Sequence, residues 1–120
     1  MKINLGLIGF GNVGVGVAKI LKEKRAQLKN KIGTELVIKK ICDKDLKTKR
    51  PIKIDRSFLT SDYKEILDDK EIDIVVELIG GVSPAKEILL KALDSGKHVV
   101  TANKALLADS GQEIFKQAQK

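Results

Sequence analysis

Several residue types are scarce in this 120-residue chain, which has one cysteine, two prolines, no tryptophan and only 3% aromatic residues. A single cysteine, Cys42, cannot form an internal disulfide and is typical of a reducing compartment, and its place in an apolar strand predicts a buried thiol. No apolar run approaches the about 18 residues of a membrane span. The N-terminal apolar run is short, interrupted and without a signal-peptide cleavage pattern. We therefore expect a soluble, cytoplasmic protein with an aliphatic core and no membrane association.

Arginine is also rare, although the net charge is +7 and the isoelectric point is about 9.5. The positive charge comes from 20 lysines and 3 arginines, and the lysines are spread along the whole chain. Nucleic-acid-binding surfaces more often combine an arginine-containing stripe with aromatic side chains. The scattered lysines therefore indicate a solvated surface, and we expect no nucleic-acid partner.

The most informative stretch is an apolar strand that leads into a glycine-rich turn, with glycines at Gly9, Gly11 and Gly14. In a dinucleotide-binding unit, the first glycine permits the tight turn and the second lets a pyrophosphate approach the backbone. The third lets the following helix pack against the strand. Residues 15–28 have the apolar period of that helix, which should end near residues 30–33. The pattern predicts a dinucleotide site, although a plain strand-to-helix turn would have similar glycines.

The second strand is predicted over residues 35–43, which completes a right-handed βαβ unit. Asp43 stands at its end, where a carboxylate can accept hydrogen bonds from the adenosine ribose of NAD. It lies somewhat farther from the glycines than is usual, and a solvated acid at a strand end is the alternative. The residues that follow are basic and could instead hold the 2′-phosphate of NADP: Lys44, Lys47, Lys49 and Arg50. Asp43 favours NAD slightly, and the choice between NAD and NADP stays open.

The rest of the chain continues the alternation of strands and helices. We predict strands near residues 57–60, over 72–79 and over 98–101. Helices are predicted from the cap Asp62 through residue 69, after the cap Ser83 with Pro84 in the first turn, and from about Ser110. This pattern indicates an α/β fold, a Rossmann-type doubly wound and mostly parallel sheet in a three-layer αβα arrangement, forming one domain over residues 1–120. Gly80 and Gly81 end the third long strand, where such a sheet receives its ligand. On the residues alone, His98 and Lys104 are more often surface side chains than catalytic groups.

Three motifs taken together resemble the homoserine dehydrogenase family: G-F-G-N-V-G near the N-terminus, V-V-E-L-I-G-G-V-S-P-A over 75–85, and A-L-D-S-G-K-H-V-V-T-A-N-K-A-L-L-A over 92–108. The resemblance covers almost the whole chain, and T-A-N-K-A-L-L-A is its most specific part. It implies interconversion of L-homoserine and L-aspartate 4-semialdehyde with NAD or NADP, on the route to threonine, methionine and isoleucine.

The resemblance also implies roles for individual residues. It places the pyrophosphate over the glycine turn, at Gly9, Gly11, Asn12, Val13 and Gly14. It places Gly80, Thr101 and Asn103 beside the nicotinamide ribose, and it makes Lys104 a catalytic residue that also contacts the cofactor. No metal ligand is expected among these residues. The chain departs from many members of the family at Asp43 and Lys44, where an apolar residue and an arginine are common.

The same resemblance implies that only the cofactor-binding domain is present and that the substrate domain lies beyond residue 120. Cofactor binding without turnover is then expected, and the full-length form would be a homodimer. Two other interpretations remain. One is the cofactor domain of an oxidoreductase of the glucose-fructose oxidoreductase type, although those usually continue into E-K-P where this chain has T-A-N-K. The other is a non-catalytic module that senses a dinucleotide.

Overall fold

A computed structural model describes residues 2–45, 47, 54–101 and 103–119. In these ranges five parallel strands form one sheet in the order β3-β2-β1-β4-β5. The strands are β1 (Lys2–Ile8), β2 (Glu35–Cys42), β3 (Leu59–Thr60), β4 (Ile74–Glu77) and β5 (His98–Thr101). The helices are α1 (Asn12–Glu23), α2 (Arg25–Ile32), α3 (Lys64–Leu67), α4 (Ala85–Asp94) and α5 (Lys104–Ala118).

Alternate side chains of β1 face two separate apolar clusters, because successive residues of a strand point to opposite faces. Leu7 packs with Val15 and Ala18 of α1 on one face, and Ile8 packs on the other with residues of α3 and α4, including Ile88. Helices therefore cover both faces of the sheet. The predicted three-layer, Rossmann-type α/β fold is confirmed, with every described strand pair parallel.

The first long helix differs from its prediction. It begins at Asn12, and it is interrupted at Lys24, where α1 ends and α2 begins. No residue of α2 is buried. Gly33, with φ of +81°, ends α2 in the left-handed conformation that favours glycine.

The last helix begins six residues earlier than the sequence predicts, at Lys104 rather than Ser110. The Asn103 side chain accepts a hydrogen bond from the backbone N–H of Leu106, which makes it the N-cap. Ser110 has non-helical backbone angles, so the helix is kinked at the residue where the sequence prediction placed its start.

Several other predicted boundaries differ from the structure. The strand predicted over 72–79 is limited to β4, and β2 ends one residue before Asp43. The N-cap of α3 is Tyr63 rather than Asp62, although the Asp62 carboxylate accepts a hydrogen bond from Lys64 N. Pro84, not Ser83, is the N-cap of α4. A 3-10 turn, Arg56–Phe58, precedes the very short β3.

The titratable side chains of Cys42 and Lys97 are both buried. Cys42 is 6% exposed, as predicted, and burial, helped by the nearby Asp43 charge, raises the pKa of its thiol to about 11. Lys97 is 7% exposed, and its ammonium donates to the carbonyls of Asp69 at 2.5 Å and Ile72 at 2.9 Å. Lys97 therefore joins the start of β5 to the loop before β4. None of the described helices is both long enough and apolar enough to cross a membrane.

Candidate functional site at the switch point of the sheet

The order of the strands creates a crevice between β1 and β4. From β1 the chain proceeds to β2 on one side, whereas β4 and β5 lie on the other side. In open α/β sheets the ligand lies in the crevice outside the carboxyl ends of the strands at this reversal. The glycine turn after β1, Asp43 after β2 and the loops after β4 and β5 all meet at that edge. The sheet thus gathers the residues that the sequence predicted to be at the site.

The three glycines of the turn have different surroundings. Gly9 has φ of +113°, and a Cβ there would lie 2.8 Å from the backbone carbon of Leu78. A Cβ on Gly14 would collide with the carbonyl oxygen of Gly9. Gly11 is the opposite case, since no atom lies within 4 Å of the position of its Cβ. Two glycines therefore permit close packing of the backbone, and the third leaves open space on the solvent side.

The N-terminus of α1 borders that open space. Asn12 and Val13 begin the helix and are exposed, with 64% of Val13 accessible. The first N–H groups of a helix have no intrahelical acceptor, and they carry the positive end of the helix dipole. Together with the bare backbone at Gly11, they form a surface suited to a phosphate group.

Asp43 is tied directly to the glycine turn. One carboxylate oxygen accepts a hydrogen bond from Phe10 N at 2.7 Å, and the other accepts from Asp45 N at 3.0 Å. Gly9 N donates to the carbonyl of Cys42 at 2.8 Å, so the end of β2 and the turn are joined twice. Asp43 is half-buried, and Lys44 and Lys47 beside it are exposed. Lys49 and Arg50 lie outside the described residues.

Glu77, at the end of β4, belongs to the site but was not singled out from the sequence. It is 1% exposed, and Oε2 accepts hydrogen bonds from the backbone N–H groups of Ile79 at 2.9 Å and Gly80 at 3.0 Å. Oε1 accepts from the Thr101 hydroxyl at 2.6 Å. The signal available in the sequence was a lone acid inside the apolar run I-V-V-E-L-I.

The loop after β5 is held by its own side chains. The Thr101 hydroxyl donates to Glu77 and accepts from Asn103 N at 3.0 Å. The Asn103 amide donates to the carbonyl of Gly81 at 2.6 Å. Both polar side chains are therefore engaged within the protein, and they shape the crevice by fixing this loop.

A family model described as the NAD binding domain of homoserine dehydrogenase matches residues 9–120. The chain belongs to the homoserine dehydrogenase family. The Bacillus subtilis (strain 168) homoserine dehydrogenase is 43% identical over 117 residues, which are 98% of this chain and 27% of that protein. The crystal structure of S. aureus homoserine dehydrogenase at pH 7.0 is similar with a TM-score of 0.91 and 44% identity, over 99% of this chain and 30% of that chain. A hyperthermophilic archaeal homoserine dehydrogenase in complex with NADPH has the same fold, with a TM-score of 0.76 and 24% identity over 99% of this chain and 41% of that chain.

These comparisons confirm the homoserine dehydrogenase interpretation over the sugar oxidoreductase and sensor alternatives. The chain spans 27% of the length of the Bacillus relative and 30% of the S. aureus chain. It is the cofactor domain of the family, a domain that binds a nicotinamide dinucleotide. The T-A-N-K segment begins at the end of β5, and Lys104 is the exposed first residue of α5. Its backbone is fixed between the Asn103 cap and the helix, while its side chain is open to solvent.

Proposed function

We propose that this homoserine dehydrogenase domain binds its dinucleotide across the switch point. The adenosine half would lie over the end of β2, and the nicotinamide half over the ends of β4 and β5. The observation that best supports a pyrophosphate at the centre of this site is the open backbone at Gly11, which lies next to the first N–H groups of α1. The pyrophosphate would contact the turn at Gly9, Gly11, Asn12, Val13 and Gly14.

Titration of the domain with NADH and NADPH, followed by nicotinamide fluorescence, tests this proposal. Binding of at least one of them is expected. If neither binds at millimolar concentration, the assignment of the site is wrong.

We also propose that Asp43 gives a slight preference for NAD. Its carboxylate lies at the end of β2, where the adenosine ribose hydroxyls of a bound dinucleotide are expected. A carboxylate about 4 Å from a 2′-phosphate would oppose it by roughly 1 to 4 kcal/mol, depending on screening. Lys44 and Lys47 are exposed nearby and would attract that phosphate. The archaeal family member bound to NADPH makes NADP the alternative cofactor.

The variant Asp43→Asn tests this preference because it removes the charge but keeps an oxygen that can accept from the turn. The ratio of NADPH to NADH affinity should rise about tenfold, which corresponds to about 1.4 kcal/mol. Glu113→Gln, on the distant helix α5, removes one negative charge elsewhere and should leave the ratio unchanged. An unchanged ratio in Asp43→Asn would show that Asp43 does not face the ribose.

We propose that the longer protein interconverts L-homoserine and L-aspartate 4-semialdehyde on the route to threonine, methionine and isoleucine, in the cytoplasm and as a homodimer. The family match and the T-A-N-K segment support this proposal. The bound nicotinamide would accept or donate the hydride. Lys104 would direct its ammonium at the substrate oxygen and stabilise the negative charge that develops there. Gly80, Thr101 and Asn103 would form the wall on the nicotinamide ribose side.

The role of Lys104 is tested in the protein that contains the substrate domain. Lys104→Ala should lower kcat about 100- to 1,000-fold, as loss of one group that stabilises transition-state charge typically does. Lys116→Ala, at the other end of α5, is the matched control and should retain activity. Unchanged turnover in Lys104→Ala would remove this lysine from the mechanism.

A further inference from the structure

Glu77 is an unusual residue for the centre of a parallel sheet. It is 1% exposed, it ends β4 beside β1 at the switch point, and its three described donors are neutral. Burying a carboxylate costs free energy unless hydrogen bonds compensate for the lost water. The carboxylate of Glu77 therefore needs the hydrogen bonds that the surrounding backbone and Thr101 donate, and these donors are in turn held in place by the carboxylate.

The carboxylate joins two loops that are separate in the sequence. Oε2 holds the loop after β4 through the N–H groups of Ile79 and Gly80, and Oε1 holds the end of β5 through the Thr101 hydroxyl. Glu77 and Thr101 are direct neighbours in the β4–β5 register, which explains why the two side chains meet. Gly80 and Gly81 have φ of +75° and +72°, and glycine adopts many other conformations at little cost. The carboxylate therefore helps to select this conformation of the loop, together with the Asn103 amide, which donates to the carbonyl of Gly81.

The hydrogen-bond chain continues from Thr101 to the start of α5. Thr101 accepts from Asn103 N, and the Asn103 side chain then binds both Gly81 O and Leu106 N. The backbone that carries Lys104 follows directly. Both walls of this half of the crevice and the first turn of α5 are thus connected to one buried carboxylate.

We infer that Glu77 is the positioning residue of the nicotinamide half of the site, and that it sets the loops after β4 and β5 in the conformation that receives the nicotinamide. This inference rests on the proposed binding orientation and goes further by assigning a role to a residue that would not itself contact the reacting atoms. A group with that role should affect a whole dinucleotide more than a ligand that fills only the adenosine and phosphate half.

The test compares NADH, NADPH and ADP on the wild-type chain and on Glu77→Gln, with Glu113→Gln as the control for loss of one negative charge. Glutamine is similar in size to glutamate, but both Glu77 oxygens accept hydrogen bonds. The NH2 group of glutamine would replace one of these oxygens and would face a donor, so that hydrogen bond is lost. In Glu77→Gln the affinity for the preferred dinucleotide should fall about tenfold, from loss of a hydrogen bond to a charged group, and the affinity for ADP should change less than about twofold. Amide hydrogen exchange at Ile79 and Gly80 should accelerate, whereas the amide of Val75 within β4 should stay protected.

An equal loss of dinucleotide and ADP affinity, or no loss of either, overturns the role of Glu77 while leaving the proposed binding function intact. Failure of the wild-type chain to bind any of the three ligands overturns the binding function itself. If Glu77→Gln does not fold, Thr101→Val removes the hydroxyl that links the two loops and should give the same selective loss of the dinucleotide. An unchanged ratio in Thr101→Val also overturns the inference.

Discussion

Replacement of Gly11 by alanine should separate cofactor binding from stability. The backbone at Gly11 has φ of −79° and ψ of −156°, which alanine adopts readily, and no atom lies within 4 Å of the new methyl group. The less flexible unfolded chain should stabilise the variant by about 0.4 to 1 kcal/mol. Loss of the preferred glycine at the N-cap should oppose this by a similar amount. The free energy of unfolding should therefore change by less than about 0.5 kcal/mol.

Binding should respond much more strongly, because the methyl group would fill the space that the pyrophosphate needs above the turn. A displaced phosphate loses part of its charge-assisted hydrogen bonds to the backbone, each worth about 1.5 to 3 kcal/mol. A loss of about 2 to 3 kcal/mol corresponds to a 30- to 150-fold increase in Kd. Isothermal titration calorimetry with NADH or NADPH and urea unfolding measure the two quantities on the same samples.

Gly16→Ala is the matched control, in the interior of α1 and only five positions away. Its new methyl group also meets no atom within 4 Å. Because glycine is unfavourable inside a helix, this variant should be about 0.5 to 1 kcal/mol more stable, with unchanged Kd. Wild-type affinity in Gly11→Ala would refute the placement of the pyrophosphate over Gly11. An equal loss of affinity in both variants would show that the effect comes from the helix in general.

Three further predictions concern groups away from the glycine turn. Lys97→Met should lower the free energy of unfolding, measured in urea, by about 1 to 2 kcal/mol, because two carbonyls lose their donor. In the control Lys70→Met, at an exposed lysine, the free energy of unfolding should change by less than about 0.5 kcal/mol. Equal losses of stability in the two variants would contradict the structure. The hydrogen bond from Lys39 lowers the pKa of Asp69, so this pair should stabilise the fold above about pH 4 and lose its effect as the pH falls further. Lys39→Met removes the ion pairs with both Asp69 and Glu71. The difference in Tm between wild type and this variant should therefore shrink from pH 6 to pH 3, and a constant difference would exclude these carboxylates as its source. Cys42, with a pKa of about 11 and little exposure, should react with a thiol reagent at pH 8 only after unfolding in urea, and rapid reaction of the folded chain would contradict its burial.

The sequence predicted the fold best where short-range patterns decide the structure. The period of two or 3.6 identified most strands and helices, and the bounds of β5 were predicted to the residue, at His98–Thr101. It was less reliable at ends and interruptions. The break at Lys24 lies inside a continuous helical pattern, and α5 begins at Lys104, six residues before the predicted start at Ser110.

For the site, the sequence indicated which residues meet but not how they are bonded. Gly9, Asp43 and Thr101 lie at the carboxyl ends of β1, β2 and β5, at the same edge of the parallel sheet, as a Rossmann-type fold requires. The bond from Phe10 to Asp43 joins residues 33 positions apart, and no local pattern predicts such a contact. Glu77 was missed because its partners belong to the loop after β4 and to the end of β5, which meet only in the folded sheet.

The hydrogen bond between Asp43 and Phe10 has a consequence for protein engineering. An acid after the second strand can set the preference between NAD and NADP through its contact with the adenosine ribose. Here the same carboxylate also accepts a backbone N–H of the phosphate-binding turn, at 2.7 Å. A basic or apolar replacement would withdraw that acceptor, so a new preference for NADP would come with weaker binding of the pyrophosphate that both cofactors share. A successful redesign of this domain should therefore keep an acceptor at position 43, as Asp43→Asn does, and use the positive charges already present at Lys44 and Lys47 to bind the phosphate.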